Sequence, residues 1–100
     1  MQTRAERLEA ALRQAFTAAT VIVADDSARH AGHAGARPEG ETHYSVLVVA
    51  DAFRGVSRVE RSRRAHAALA AEFIGGMHAL ALTLRTPEEH ARAIRPGGAP

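Results

Sequence analysis

The sequence predicts an α+β domain of helix, strand, strand, helix, strand, helix, with a three-stranded sheet and the helices packed on one face. Three observations lead there. A hydroxyl residue stands three positions before a glutamate at Thr3 and Glu6, at Ser57 and Glu60, and at Thr86 and Glu89. In each pair the hydroxyl can cap the third helical amide while the carboxylate reaches back to the N-cap amide. Between these starts lie short runs that are β-branched or alternate in size, as strands do. An apolar fraction of 46% then supplies enough Val, Leu and Ile to bury a core.

Taken in order, the first helix carries Leu8, Leu12 and Phe16 four residues apart, one apolar stripe. Val21 to Val23 is a short strand, and Tyr44 to Val49 is the strongest strand in the chain. The second helix begins at Ser57, presents Val59, His66, Leu69 and Phe73 along one face, and stops at Gly75 and Gly76. Met77 to Leu84 alternates small and large, which gathers Leu80, Leu82 and Leu84 on one side of a third strand. A short last helix runs from Thr86 towards Ile94, with Pro87 preset for its first turn. One domain therefore spans residues 1–94, and Arg95 to Pro100 reads as a disordered tail. The stretch from Asp25 to Thr42 is rich in Gly, His and Ala without periodicity, the mark of a long functional or mobile loop.

Composition narrows the chemistry. The chain has no cysteine, which excludes disulfides, a cysteine zinc site, a thiol nucleophile and thiolate ligands. No apolar run approaches the roughly 20 residues of a membrane helix. The first residues lack the apolar core of a secretion signal, so the expected location is cytoplasmic and away from membranes. All the basic side chains are arginine, and the net charge of +2 is too small to imply nucleic acid by itself. No paired carboxylates, nucleophile with base, or phosphate loop occurs at a convincing spacing, so a non-enzymatic role is expected.

Six segments then stand in order along the chain. They are Asp26-Ser27 with His30, Gly40-Glu41-Thr42-His43-Tyr44, Ala52-Phe53-Arg54-Gly55, Arg61-Ser62-Arg63, Gly75-Gly76-Met77-His78-Ala79-Leu80, and Arg85-Thr86-Pro87-Glu88. On these the chain resembles the BolA family from Glu6 to Ala91. The resemblance implies a class II KH-like fold, in agreement with the element order. It also implies two roles: partnership with a monothiol glutaredoxin around a shared [2Fe–2S] cluster, and transcriptional regulation by DNA binding. KH domains grip nucleic acid through a GxxG loop between helices. Here Gly32-His33-Ala34-Gly35 fits the letters but lies between two strands, a coincidence of composition.

His78 matches the family's cluster ligand and opens the third strand. Read without the family, it shares a strand face with Leu80 and Leu82, where a lone histidine is more often a hydrogen-bonded core residue. His30 matches the second ligand, which the family takes from the long loop, and His33 is the fallback. Iron–sulfur clusters need thiolates, whereas paired histidines on one iron resemble Rieske ligation. This chain offers imidazoles and no sulfur, so a glutaredoxin cysteine and glutathione must complete any cluster. The isolated chain is expected to be a monomer without cofactor, and a heterodimer once its partner binds. His43 reads as structural, His66 as core or core edge, and His90 as a residue of the exposed last helix, none of them functional.

Arg58, Arg61, Arg63 and Arg64 crowd the start of the second helix. Clustered guanidiniums suit phosphates, which makes them the candidate DNA contacts. A solvated face with a Glu60–Arg64 pair is the plainer reading. The family commonly carries Arg-His-Arg where this chain has Arg61-Ser62-Arg63, so Ser62 puts the nucleic-acid role in question and leaves the cluster ligands untouched.

Overall fold

The computed structural model describes residues 2–25, 43–77 and 79–94. The expected element order is present. Helix α1 spans Arg4–Ala15, strand β1 Thr20–Asp25 and strand β2 His43–Val49. A 3₁₀ turn at Asp51–Phe53 leads to α2 (Arg58–Ala68) and α3 (Ala70–Ile74), followed by β3 (Ala79–Arg85) and α4 (Pro87–Ala93). The sheet order is β1-β2-β3, antiparallel then parallel. The tail expected from Arg95 falls outside the described residues.

Capping explains where the helices begin. At Thr3 and Thr86 both halves of the box form: the hydroxyl accepts the N3 amide, and the glutamate accepts the N-cap amide. Ser57 makes only the first half, accepting from the Glu60 amide at 3.1 Å. Glu60 turns its carboxylate outwards instead, to Arg64 at 3.1 Å and Arg63 at 3.8 Å.

The core lies between one face of the sheet and the helices. Leu8, Leu12 and Phe16 of α1 and its cap meet Val21, Tyr44, Val46 and Val48 from the sheet. Phe53 is fully buried and packs its ring 4.9 Å from Phe16, tilted 58°. Burying each such leucine or phenylalanine contributes about 1.5–3 kcal/mol. Leu80 and Leu82 pack on this cluster and Leu84 is buried in it, so β3 alternates as expected.

The second helix departs from expectation. It breaks at Leu69, whose backbone (φ −105°, ψ 10°) ends α2 and starts α3. Its inward row is Arg61, Ala65 and Leu69, not the row beginning at Val59, which is 61% exposed. His66 is exposed as well, stacked on Phe73 with Nδ1 2.9 Å from the Ser62 carbonyl. The stripe was misjudged because its first inward member is an arginine.

Candidate functional site

Two places matter, an end of the sheet and the arginine-bearing side of α2. Strands β2 and β3 run parallel, so both begin at the same end, and antiparallel β1 finishes there. Asp25 pairs with Tyr44, Tyr44 with Leu80, and His43 with Ala79. Asp25 and His43 are the flanks of the segment carrying His30 and His33. Met77 and Ala79 flank His78. His30, His33 and His78 themselves lie outside the described residues.

The approach to β3 is tightly determined. Helix α3 ends in a Schellman turn: the Gly76 amide donates to the Phe73 carbonyl (3.2 Å) and the Met77 amide to that of Glu72 (3.0 Å). This turn needs left-handed backbone at Gly76, whose φ is +113°. Met77 is buried and anchors the exit. From the other side, Arg4 Nη2 donates to the Gly75 carbonyl at 2.9 Å. Its Nε donates to Glu72 Oε1 at 3.0 Å, and Arg7 Nε donates to Oε2 at 2.9 Å. The Arg7 hydrogen bonds, followed by those from Arg4, hold the Glu72 carboxyl below its ordinary range. Helix α1 thus clamps the turn that feeds β3.

Among the described residues no cluster of three or more His, Cys, Asp or Glu could hold a metal. His90 accepts from Arg85 Nη1 at 3.2 Å, and His66 is engaged by Ser62 and Phe73. Ser62 sits half-buried with its hydroxyl 3.3 Å from His66 Nδ1.

The four arginines proposed for DNA do not share one face. Arg61 is a correction to that set, because only 6% of it is exposed. Its Nε donates to the Val56 carbonyl (2.9 Å) and Nη1 to the Leu84 carbonyl (3.1 Å). The same group forks onto Glu89, Nη1 to Oε1 at 2.7 Å and Nη2 to Oε2 at 3.2 Å, and lies over the Phe53 ring at 5.6 Å. Four of its five N–H donors are spent on carbonyls and a carboxylate, and its burial keeps the group from a phosphate. Those hydrogen bonds, with the Thr86 amide, lower the Glu89 carboxyl to about 2. Arg63 and Arg64 are exposed but share Glu60. Arg58 points away from them, into a groove with Arg85 and Arg92. Sequence reasoning missed those last two. They come from β3 and α4, and no local pattern links them to α2.

Among the described residues no helix is long and apolar enough to cross a membrane.

Comparison with known proteins agrees with this architecture. The BolA-like protein family matches residues 12–89. The chain is 35% identical over 91 residues to Protein BOLA1, chloroplastic, of Arabidopsis thaliana, covering 89% of this chain and 57% of that protein. It is 37% identical over 91 residues to SufE-like protein 1, chloroplastic/mitochondrial, of the same plant, covering 87% of this chain and 24% of that one. The chain thus spans well under two thirds of either relative. The solved structure of BolA1 from Arabidopsis thaliana superposes with a TM-score of 0.77 at 34% identity, covering 89% of this chain and 97% of that chain. Sequence, element order and superposition agree: the chain belongs to the BolA family.

Proposed function

We propose that this BolA-family domain binds a monothiol glutaredoxin and shares a [2Fe–2S] cluster with it, in iron–sulfur and iron homeostasis. His78 and His30 are the imidazole ligands, with His33 as the alternative to His30. The observation that carries this reading is the convergence of chain segments at one sheet end. Asp25 and His43 border the His30 segment, Ala79 follows His78, and His43 and Ala79 are register partners. The donor set fits a shared cluster and not a resident one. With no cysteine, the chain contributes nitrogen only, and a glutaredoxin cysteine with glutathione contributes the sulfur. When bound, the cluster supplies iron whose potential is raised by histidine ligation. The protein's part is to hold the start of β3 steady through the Schellman turn and its Arg4 clamp.

The test is co-reconstitution with a monothiol glutaredoxin, iron, sulfide and glutathione. A mixed heterodimer is expected, with a visible spectrum distinct from that of the glutaredoxin homodimer. His78→Ala should abolish that distinct spectrum while leaving the fold intact by circular dichroism. An unchanged spectrum in His78→Ala overturns the ligand assignment.

The DNA reading rests on less than the sequence suggested, since Arg61 is buried and Arg63 and Arg64 divide one carboxylate. Nothing in the geometry of α2 favours it over the cluster.

A further inference from the structure

Strand β3 is an edge of the sheet: no strand pairs with its far side among the described residues. The direction of its backbone groups follows from two hydrogen bonds. The Arg85 carbonyl accepts from the Ala50 amide on the β2 side. The Leu84 carbonyl faces the opposite way, accepting from Arg61 Nη1. Backbone groups alternate along a strand. Ala79, Ala81 and Thr83 therefore turn theirs towards β2, and Leu80 and Leu82 turn theirs outwards. Among the described residues nothing hydrogen-bonds the outward amides and carbonyls of Leu80 and Leu82.

A groove of about 460 Å³ runs beside this edge between α2 and α4, lined by Arg58, Leu82, Arg85 and Arg92 among others. A second, of about 210 Å³, continues it along Leu82 and Leu84 and again includes Arg58. Arg58 and Arg92 are exposed and form no hydrogen bond or ion pair among the described residues, and Arg85 meets only the His90 ring. The groove's one carboxylate, Glu89, is already engaged by Arg61. The result is an open strand edge bordered by arginines that form no ion pair among the described residues, and Glu89, which attracts Arg58 at longer range, is already held by Arg61.

We infer that β3 accepts an acidic, extended peptide segment of a partner protein as a fourth strand, with Arg58, Arg85 and Arg92 pairing its carboxylates. Backbone hydrogen bonds give such an addition its affinity and the flanking side chains its specificity. A peptide suits the edge better than a nucleic acid does. Leu80 and Leu82 offer carbonyl acceptors as well as amide donors, and a phosphate backbone has only acceptors to give in return. The proposal rests on the β3 edge and its arginines and not on the cluster reading.

The experiment uses the full chain without cluster and a labelled peptide of about eight residues alternating valine and glutamate, a strand's usual length. Fluorescence anisotropy should show saturable binding, and the Leu80 and Leu82 amides should become protected from hydrogen exchange. Arg58→Ala combined with Arg92→Ala should weaken binding on the order of tenfold with the fold unchanged. Two peptides N-methylated at alternate positions separate strand addition from simple charge attraction: one should lose binding and the other keep it. Equal binding by both methylated forms, or by a lysine-for-glutamate peptide, overturns the proposal. So does tighter binding of an oligothymidylate with the same protected amides, which would make the groove a nucleic-acid site.

Discussion

Arg58 and Arg61 stand less than one turn apart on α2, carry the same guanidinium, and have opposite fates. Arg61 points inward, gives its hydrogen bonds to Val56, Leu84 and Glu89, and closes the corner between α2, β3 and α4. Arg58 points to solvent beside the β3 edge and pairs with nothing described. Charge alone therefore says little about an arginine's work. What separates the two is the supply of fixed acceptors. A guanidinium surrounded by carbonyls and a carboxylate is structural, and one facing open solvent is available to a partner.

The contrast can be broken most forcefully at Arg61. Arg61→Ala leaves two main-chain carbonyls and Glu89 without their donor and should destabilise the domain by about 3 kcal/mol. Arg61→Lys should recover only part, since an ammonium cannot fork onto Glu89 while reaching both carbonyls. Denaturant unfolding measures both, and a near-neutral Arg61→Ala would remove the structural reading of this residue.

Acid offers a second, broader test. Glu89 has its carboxyl lowered from 4.5 to about 2 by Arg61, and Glu72 is lowered by Arg7 and Arg4. A carboxyl lowered in the folded state binds its proton more readily when unfolded. Its stabilisation is complete above the unfolded value and is lost as pH falls through the folded one. The unfolding midpoint should therefore drop between pH 4.5 and about 2. Glu89→Gln should flatten that slope, whereas an unaltered slope would mean that the Arg61–Glu89 pair adds nothing. The smallest effect belongs to Arg58: Arg58→Ala should change stability by no more than about 0.5 kcal/mol. A larger loss would show that Arg58 too is structural, and would erase the contrast.

Much of the fold was legible because it rests on local rules. The capping residues Thr3 and Thr86, the stripe of Leu8, Leu12 and Phe16, and the alternation of Leu80, Leu82 and Leu84 each act within a few residues. The half-formed box at Ser57 was not legible. Three residues claim one glutamate there, and Arg63 and Arg64 outcompete the Ser57 amide. The inward row of α2 escaped notice for a related reason. An apolar-stripe search passes over Arg61, although its neutralising partner comes from α4 and lets it occupy a core position. Of the candidate site, the sequence made the glycines at 75 and 76 readable, while His30, His33 and His78 lie outside the described residues. It could not supply Arg85 and Arg92 beside Arg58, because that grouping exists only once three elements are packed.

The clamp at Arg4 has a bearing on how the domain is assembled. Its bond to the Gly75 carbonyl joins residues 71 positions apart, and Glu72 binds Arg4 and Arg7 across nearly the same separation. Contacts this distant in sequence form only after the chain between them has been drawn together, at an entropic cost that local turns do not bear. The footing of β3 is thus finished by the first helix of the chain and not by its own neighbours. A partly folded chain can therefore have β3 in place and still lack the brace from Arg4 and Arg7, which arrives with complete folding rather than ahead of it.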